Sequence, residues 1–271
     1  MQTSAWRTYF ESNLQRPEAI VPEALDDVSE PLRTELVRSL QIFQAGETGE
    51  GRIVAQAARQ PGAGKDPDFV EALRLYIAEE GRHARELGRL VRALGGEPAH
   101  THPSADRFRT VRRLIGFRTK MMVLAGAEVV GGVFYELLAR RAGSAALSRT
   151  LRVIVAEERA HLLFQRDYFQ GLASSNAMRT AYQTALRSVV VLELGYFAAD
   201  HRLLLRALDT SPRELWEASN ALLAWLDDAR LEDLAPRPRR SVSPFVWAEL
   251  GPATRAMPPP HAEEEHRDAV A

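Results

Sequence analysis

The chain of 271 residues contains no cysteine. That absence excludes disulfides, thiolate zinc sites, iron-sulfur clusters and thiol nucleophiles, so any metal must be held by oxygen and nitrogen. Lysine is nearly missing, occurring only at positions 65 and 120, and arginine carries almost all the positive charge. The formal net charge of -1 offers no electrostatic basis for binding nucleic acid or an anionic membrane surface, both of which call for a cationic excess. Long apolar runs are also lacking: the stretch from Met121 to Phe134 is interrupted by Glu128, and a membrane span needs about 20 apolar residues. The opening MQTSAWRTYFESN does not have the basic then apolar order of a secretory signal. The expectation is a cytoplasmic protein with no membrane and no nucleic-acid partner. What is present, 45% hydrophobic and 26% charged residues, is enough to bury a full core.

Helix signals dominate and strand signals are scarce, so the fold class is all-α. Asp66, Pro67 and Asp68 supply an N-cap, a first-turn proline and an acid matched to the helix dipole, and predict a helix of about 27 residues that stops at Gly95 and Gly96. Ser29 with Pro31 opens an earlier helix expected to reach about Arg59. A third is expected from about Arg107 or Phe117 to Arg141, and a fourth from about Leu147 to Gly171. Another covers about 177 to 208, and Ser211, Pro212 and Glu214 form a capping-box pattern opening one more to about residue 231. The domain plan is an N-terminal segment (1–28), a four-helix bundle (29–172), additional helices packing on it (173–233) and a proline- and charge-rich tail (234–271) that is partly ordered.

An internal repeat carries the chemistry. AEEGRHARE at 78–86 and AEERAHLLF at 156–164 both contain E-E-x-x-H. Glu80 and His83 therefore share the spacing of Glu158 and His161, three residues apart on one side of a helix, where a carboxylate and an imidazole can reach one ion. All four fall on apolar stripes: Glu80 and His83 align with Leu73, Tyr76, Leu87 and Leu90, and Glu158 and His161 with Leu151, Ile154 and Tyr168. The two other helices contribute one acid each, Glu47 in line with Leu36, Leu40 and Phe43, and Glu128 in line with Met121, Leu124 and Tyr135. Depth agrees as well. Glu47 lies as far before the expected helix end at Arg59 as Glu80 lies after Asp68, each about 18 Å from the shared turn, and Glu128 and Glu158 are level in the same way. The segment GGEPAHTHPSA can span at most about 36 to 40 Å, sufficient to cross the bundle and bring the two hairpins together. Four carboxylates in an apolar core cost many kcal/mol unless compensated. Two divalent cations would balance them.

One Glu from each of two helices and Glu-x-x-His from each of the other two is the ligand pattern of the ferritin-like di-iron and di-manganese carboxylate bundles, and over about residues 30 to 172 the chain resembles that superfamily. Locally, AGETGEG around Glu47 and EEGRH at 79–83 are similar to the rubrerythrin branch. The resemblance implies a four-helix bundle with a crossover connection plus additional C-terminal helices, with Glu47, Glu80, His83, Glu128, Glu158 and His161 as ligands. It also implies two Fe ions, or Mn or a mixed Mn/Fe pair, with O2 as co-substrate. Two departures stand out. Cysteine-ligated iron domains, common in rubrerythrins, are impossible here, and the extra glutamate one turn beyond the third helix's ligand is replaced by Gly131, while Glu50 appears on the first helix.

The implied function is a non-haem di-iron oxygenase or oxidase acting on a small organic substrate. The alternative is a rubrerythrin-like peroxide reductase, ferroxidase or iron-handling protein. Electrons would come from an external donor, a ferredoxin or reductase, and a homodimer is a further expectation. Glu50 is a candidate catalytic acid or extra ligand, or else a solvated acid. Tyr135 is a candidate redox residue or else core, as are Tyr76 and Tyr168. Glu193 is a candidate lid residue or one half of an ion pair. Glu79 and Glu157, one position before the ligands, are expected to make surface pairs.

Overall fold

In the computed structural model the described residues are 2–18, 21, 23–48, 51–99, 101–103, 106, 110 and 115–234, and all their regular structure is helical. Helix α1 covers Thr3–Asn13, α2 Glu30–Glu47, α3 Arg52–Ala58, α4 Pro67–Ala93, α5 Phe117–Arg141 and α6 Ala145–Leu172, followed by α7 Asn176–Asp200, α8 Arg202–Ala207 and α9 Pro212–Asp228. The bundle consists of α2, α4, α5 and α6. Helix α2 packs along α4 and α5 along α6, while α4 and α6 meet across the middle.

Local chemistry fixes most of the boundaries. The Asp66 carboxylate accepts hydrogen bonds from the backbone N–H groups of Asp68 and Phe69, filling two of the open donors at the start of α4. Ser144 caps α6 through Leu147 N–H, and Ser211 and Glu214 form the reciprocal capping box of α9. Helix α5 is long and apolar enough to cross a membrane, but most of it is buried inside the protein and it carries Glu128 on its inner side. Its apolar character is that of a core helix.

Three expectations about the elements change. The first bundle helix does not continue to Arg59: α2 ends at Glu47, and α3 starts after Gly51, which sits at φ 59°. That left-handed conformation suits glycine and interrupts a helical path. Residues 177–208 are likewise not one helix, since His201 separates α7 from α8. The N-terminal segment, for which no helix was expected, contains α1, which packs along α4 and buries Trp6 and Phe10 completely. Trp6 Nε1 donates to Asp167 on α6 at 3.0 Å. Truncating a buried aromatic of this kind costs about 3–5 kcal/mol, so α1 belongs to the bundle.

The C-terminal helices wrap the outside. Helix α7 lies along α5, α8 against α2, and α9 against both α5 and α7. Gly126 allows the α5–α7 approach: a Cβ there would lie 2.6 Å from Val189 Cγ1 and 2.3 Å from Glu193 Oε2. The proline- and charge-rich tail beyond Leu234 lies outside the described residues.

Candidate metal centre

Glu80 and His83 project from the middle of α4 toward Glu158 and His161 on α6. One donor atom from each of these four residues lies within 4.8 Å of all the others. Both histidines are fully buried, and Glu80 and Glu158 nearly so. His161 Nδ1 lies 2.7 Å from Glu80 Oε1 and 3.2 Å from Glu158 Oε2, and His83 Nδ1 lies 3.1 Å from Glu158 Oε1. Both rings thus turn Nδ1 inward.

The other two glutamates close the cluster from opposite sides. Glu47, on the last residue of α2, is hydrogen-bonded to Glu80 and lies within electrostatic reach of His83. Although the residue keeps some exposed surface, its carboxyl end is enclosed and accepts from the Tyr135 hydroxyl at 2.5 Å. Glu128, from α5, is hydrogen-bonded to Glu158, interacts with His161, and accepts from the Tyr76 hydroxyl, which in turn accepts from Gln165 Nε2 at 3.0 Å. Each half therefore has one outer glutamate, one histidine and one tyrosine, with Glu80 and Glu158 between the halves. All six sequence-expected ligands converge, and Tyr135 and Tyr76 both touch them. Tyr168 does not; it stacks with Phe69 at 5.2 Å. Glu193 is pressed against the Gly126 backbone on the outer side of α5, where it is no part of the cluster. Glu50 lies outside the described residues.

The outward faces of the histidines correct another expectation. Glu79 and Glu157 are not surface residues: they are 1% and 3% exposed. His83 Nε2 lies 2.8 Å from Glu157 Oε2, and His161 Nε2 lies 2.9 Å from Glu79 Oε2, so each imidazole is held by an acid from the opposite helix. Arg82 lies between these two acids, 3.4 Å from Glu79 Oε1 and 3.1 Å from Glu157 Oε1. Arg16 adds contacts of 2.6 Å to Glu157 and 3.0 Å to Glu86. A carboxylate behind each histidine is the usual way a protein fixes an imidazole's tautomer and direction for metal binding.

Protonation follows from this crowding. Burial pushes Glu47 and Glu128 well above the ordinary glutamate range, and the charges of Glu80 and Glu158 push them further. Burial alone would raise Glu158 and depress both histidines. Hydrogen bonds from Glu128 and the imidazoles reverse the first and hold Glu158 well below its usual value, while the surrounding carboxylates reverse the second and hold His83 and His161 well above theirs. Without a cation, protons perform the neutralisation. Even so, the buried atoms Glu80 Oε1, His83 Nδ1 and Glu158 Oε1 make no hydrogen bond of proper geometry. Buried inward atoms whose hydrogen bonding is incomplete, in an oxygen and imidazole set, fit a pair of divalent cations.

The site is enclosed by aromatic residues. The ring of Phe10, from α1, is 6.0 Å from that of His161, and the Tyr76 ring is 4.3 Å from it. Two cavities lie elsewhere. A surface cleft of about 510 Å³ is lined by Trp6, Asp167, Arg179 and Arg230, and an apolar cavity of about 80 Å³ by Met122, Leu162, Phe169 and Leu223. Neither contains a ligand residue, so the donor chemistry rather than cavity size identifies the centre.

No family model and no curated protein matches the chain. Solved structures do. A valine-to-isoleucine variant of an R2-like ligand-binding oxidase with an aerobically reconstituted Mn/Fe cofactor superposes with a TM-score of 0.62 at 14% identity, covering 83% of this chain and 93% of that one. The fold is ferritin-like. An R2-like ligand-binding oxidase after a long soak gives 0.61 at 14% identity, covering 83% and 91%, and an anaerobically reconstituted tyrosine-to-phenylalanine variant gives 0.60 at 14%, covering 83% and 92%. The alignment extends well past the four-helix core, so the ferritin-like match includes helices added at its ends.

Proposed function

We propose that the protein is a di-metal oxidase or oxygenase that activates O2 for the oxidation of a small organic substrate. The carrying observation is the paired arrangement itself: two Glu-x-x-His motifs facing one another across α4 and α6, each histidine backed by an acid from the opposite helix. Glu47, Glu80, His83, Glu128, Glu158 and His161 would hold two Fe ions or a Mn/Fe pair. The Mn/Fe cofactor of the structurally similar oxidases supports the second option. Bound there, the metals supply redox chemistry with O2.

The protein's share is positioning and exclusion of water. Glu80 and Glu158, which lie between the two halves, would offer a carboxylate to either metal. Glu79 and Glu157 fix both imidazoles with Nδ1 inward. Tyr76 and Tyr135 hold the outer glutamates by hydroxyl hydrogen bonds and stand ready to donate a proton at Glu128 Oε1 and Glu47 Oε1. Phe10 closes the His161 side. Electrons beyond those removed from the substrate would come from a ferredoxin or reductase, because a cysteine-free chain has no iron-sulfur centre.

Anaerobic reconstitution followed by metal analysis and O2 exposure tests this reading. The expected result is two metals per chain and O2 consumption without build-up of a mineral core. One metal per chain, or storage of many irons, would replace it with the iron-handling alternative.

A further inference from the structure

The segment that follows α1 delivers a guanidinium to the back of the metal centre. Arg16 grips two buried carboxylates at once. Its Nη2 donates to Glu157 Oε2 at 3.1 Å while its Nε lies 2.6 Å from Glu157 Oε1, and its Nη1 and Nη2 lie 3.0 and 3.2 Å from the two oxygens of Glu86. Glu86 belongs to α4 and Glu157 to α6, so one side chain ties together the two helices that carry the Glu-x-x-His motifs. The segment is fastened on either side of Arg16. Asn13 O accepts from Arg82 Nη1 at 3.3 Å, and Glu18 pairs with Arg85 at 2.7 Å and with Arg89.

We infer that Arg16 is a positioning residue for His83, and that it makes the two imidazoles of the centre unequal. Glu157 Oε2, the atom that meets His83 Nε2 at 2.8 Å, belongs to a carboxylate contacted at both oxygens by Arg16 and at Oε1 by Arg82 as well. A planar guanidinium reaching both oxygens fixes the plane of a carboxylate, which a lysine ammonium cannot do. Glu79, which backs His161, has no such clamp. Among the described residues its only guanidinium partner is Arg82, at 3.4 Å, and its Oε1 makes no hydrogen bond. The motif E-E-x-x-H is the same on both helices, but the N-terminal segment serves one side alone. The outer partner of a histidine sets the ring's direction and its strength as a ligand, so the His83 position owes part of its affinity to a residue from outside the four-helix core. The inference rests on the proposed role of His83 and His161 as metal ligands.

Arg16→Gln and Arg16→Lys in the full chain test this. In the metal-free protein the ring N–H protons that His83 and His161 direct at their carboxylates give low-field proton resonances, assigned by their loss in Glu157→Gln and Glu79→Gln. Both Arg16 variants are expected to shift or broaden the His83 signal and leave that of His161 in place. Arg16→Lys keeps a cation between the two buried carboxylates, so its melting temperature stays close to wild type and separates positioning from folding. In a Mn(II) titration without oxygen, one of two binding steps is expected to weaken about 10-fold in Arg16→Lys while the other is unchanged. Arg7→Gln, on the exposed side of α1, changes neither step. An unshifted His83 signal in both Arg16 variants, or equal weakening of the two steps, overturns the inference. So does tighter binding, which would show the guanidinium acting only by repelling the metal. Wild-type protein that takes up fewer than two Mn(II) ions would sink the proposed function instead, because the resonance result is read without metal.

Discussion

His83 and Glu157 meet across the bundle, Nε2 to Oε2 at 2.8 Å, although each belongs to a different Glu-x-x-His segment. His161 and Glu79 repeat the contact in the reverse sense at 2.9 Å. The doubled acid of E-E-x-x-H thus has two jobs: its second glutamate turns into the centre, and its first reaches over to the other helix's histidine. Replacing Glu79 or Glu157 by Gln should leave all six inner residues in place and lower metal affinity about 10- to 100-fold. Metal titration of each variant checks this; affinity equal to wild type in both would mean that the outer acids serve only their arginine partners.

The two acids of AGETGEG, Glu47 and Glu50, should separate cleanly. Glu47 touches Glu80 and Tyr135, so Glu47→Ala is expected to abolish two-metal loading, while Glu50→Ala weakens or retunes it. Stoichiometry after anaerobic reconstitution distinguishes them. The opposite ranking would make Glu50, and not Glu47, the ligand from this segment.

Metal should displace protons. Burial and neighbouring carboxylates hold Glu47 and Glu128 well above the ordinary glutamate range, and against burial the carboxylates hold His83 and His161 well above the ordinary histidine range. Across about pH 5 to 8 the folded apoprotein therefore binds more protons at these groups than the unfolded chain, and their contribution makes it less stable as pH rises. The metal-loaded protein escapes that loss. The gap in melting temperature between loaded and apo protein should widen over this range, and unbuffered titration with Mn(II) should release acid.

His201 gives a second pH signature, remote from the metals. It is buried between α7 and α8, stacked on Phe197 at 4.5 Å and bonded to Ser39 at 2.9 Å. Burial depresses it to about 4, with Arg38 and His102 adding to the shift and Asp200 opposing it. The folded-state value lies below the unfolded one, so this contribution is complete above about pH 6.5 and is lost as pH falls toward 4, a change of about 3 kcal/mol. Chemical denaturation at a series of pH values should show that slope in the wild type and a flatter one in His201→Gln.

Much of the fold was legible because caps and stripes report local physics. Asp66 and Ser211 cap where their sequence context predicts, and the six candidate ligands stand out because charged groups at buried positions violate the apolar pattern. Glu47 and Glu80 do meet, although α2 ends at Glu47 and not at Arg59; the three glycines of AGETGEG were the available signal for the break. Glu79 and Glu157 were misplaced because one residue along a helix is a 100° turn, which on an isolated helix points to solvent but here points into the seam between α4 and α6. Helix α1 is short, with Trp6, Tyr9 and Phe10 at helical spacing, and its place follows from Trp6 and Phe10 finding partners far along the chain.

If the centre holds two metals, the ending of α2 at Glu47 would make their positions kinetically unequal. Glu80, Glu128 and Glu158 stand in mid-helix, where backbone hydrogen bonds on both sides hold them, but Glu47 terminates its helix with Thr48 already out of helical geometry. Helix ends open at lower free energy than helix centres. The metal beside Glu47 and His83 should therefore be the last to arrive and the first to leave. In a chelator chase this appears as two phases, the faster of which is slowed by substitutions at Thr48 that favour helical geometry there.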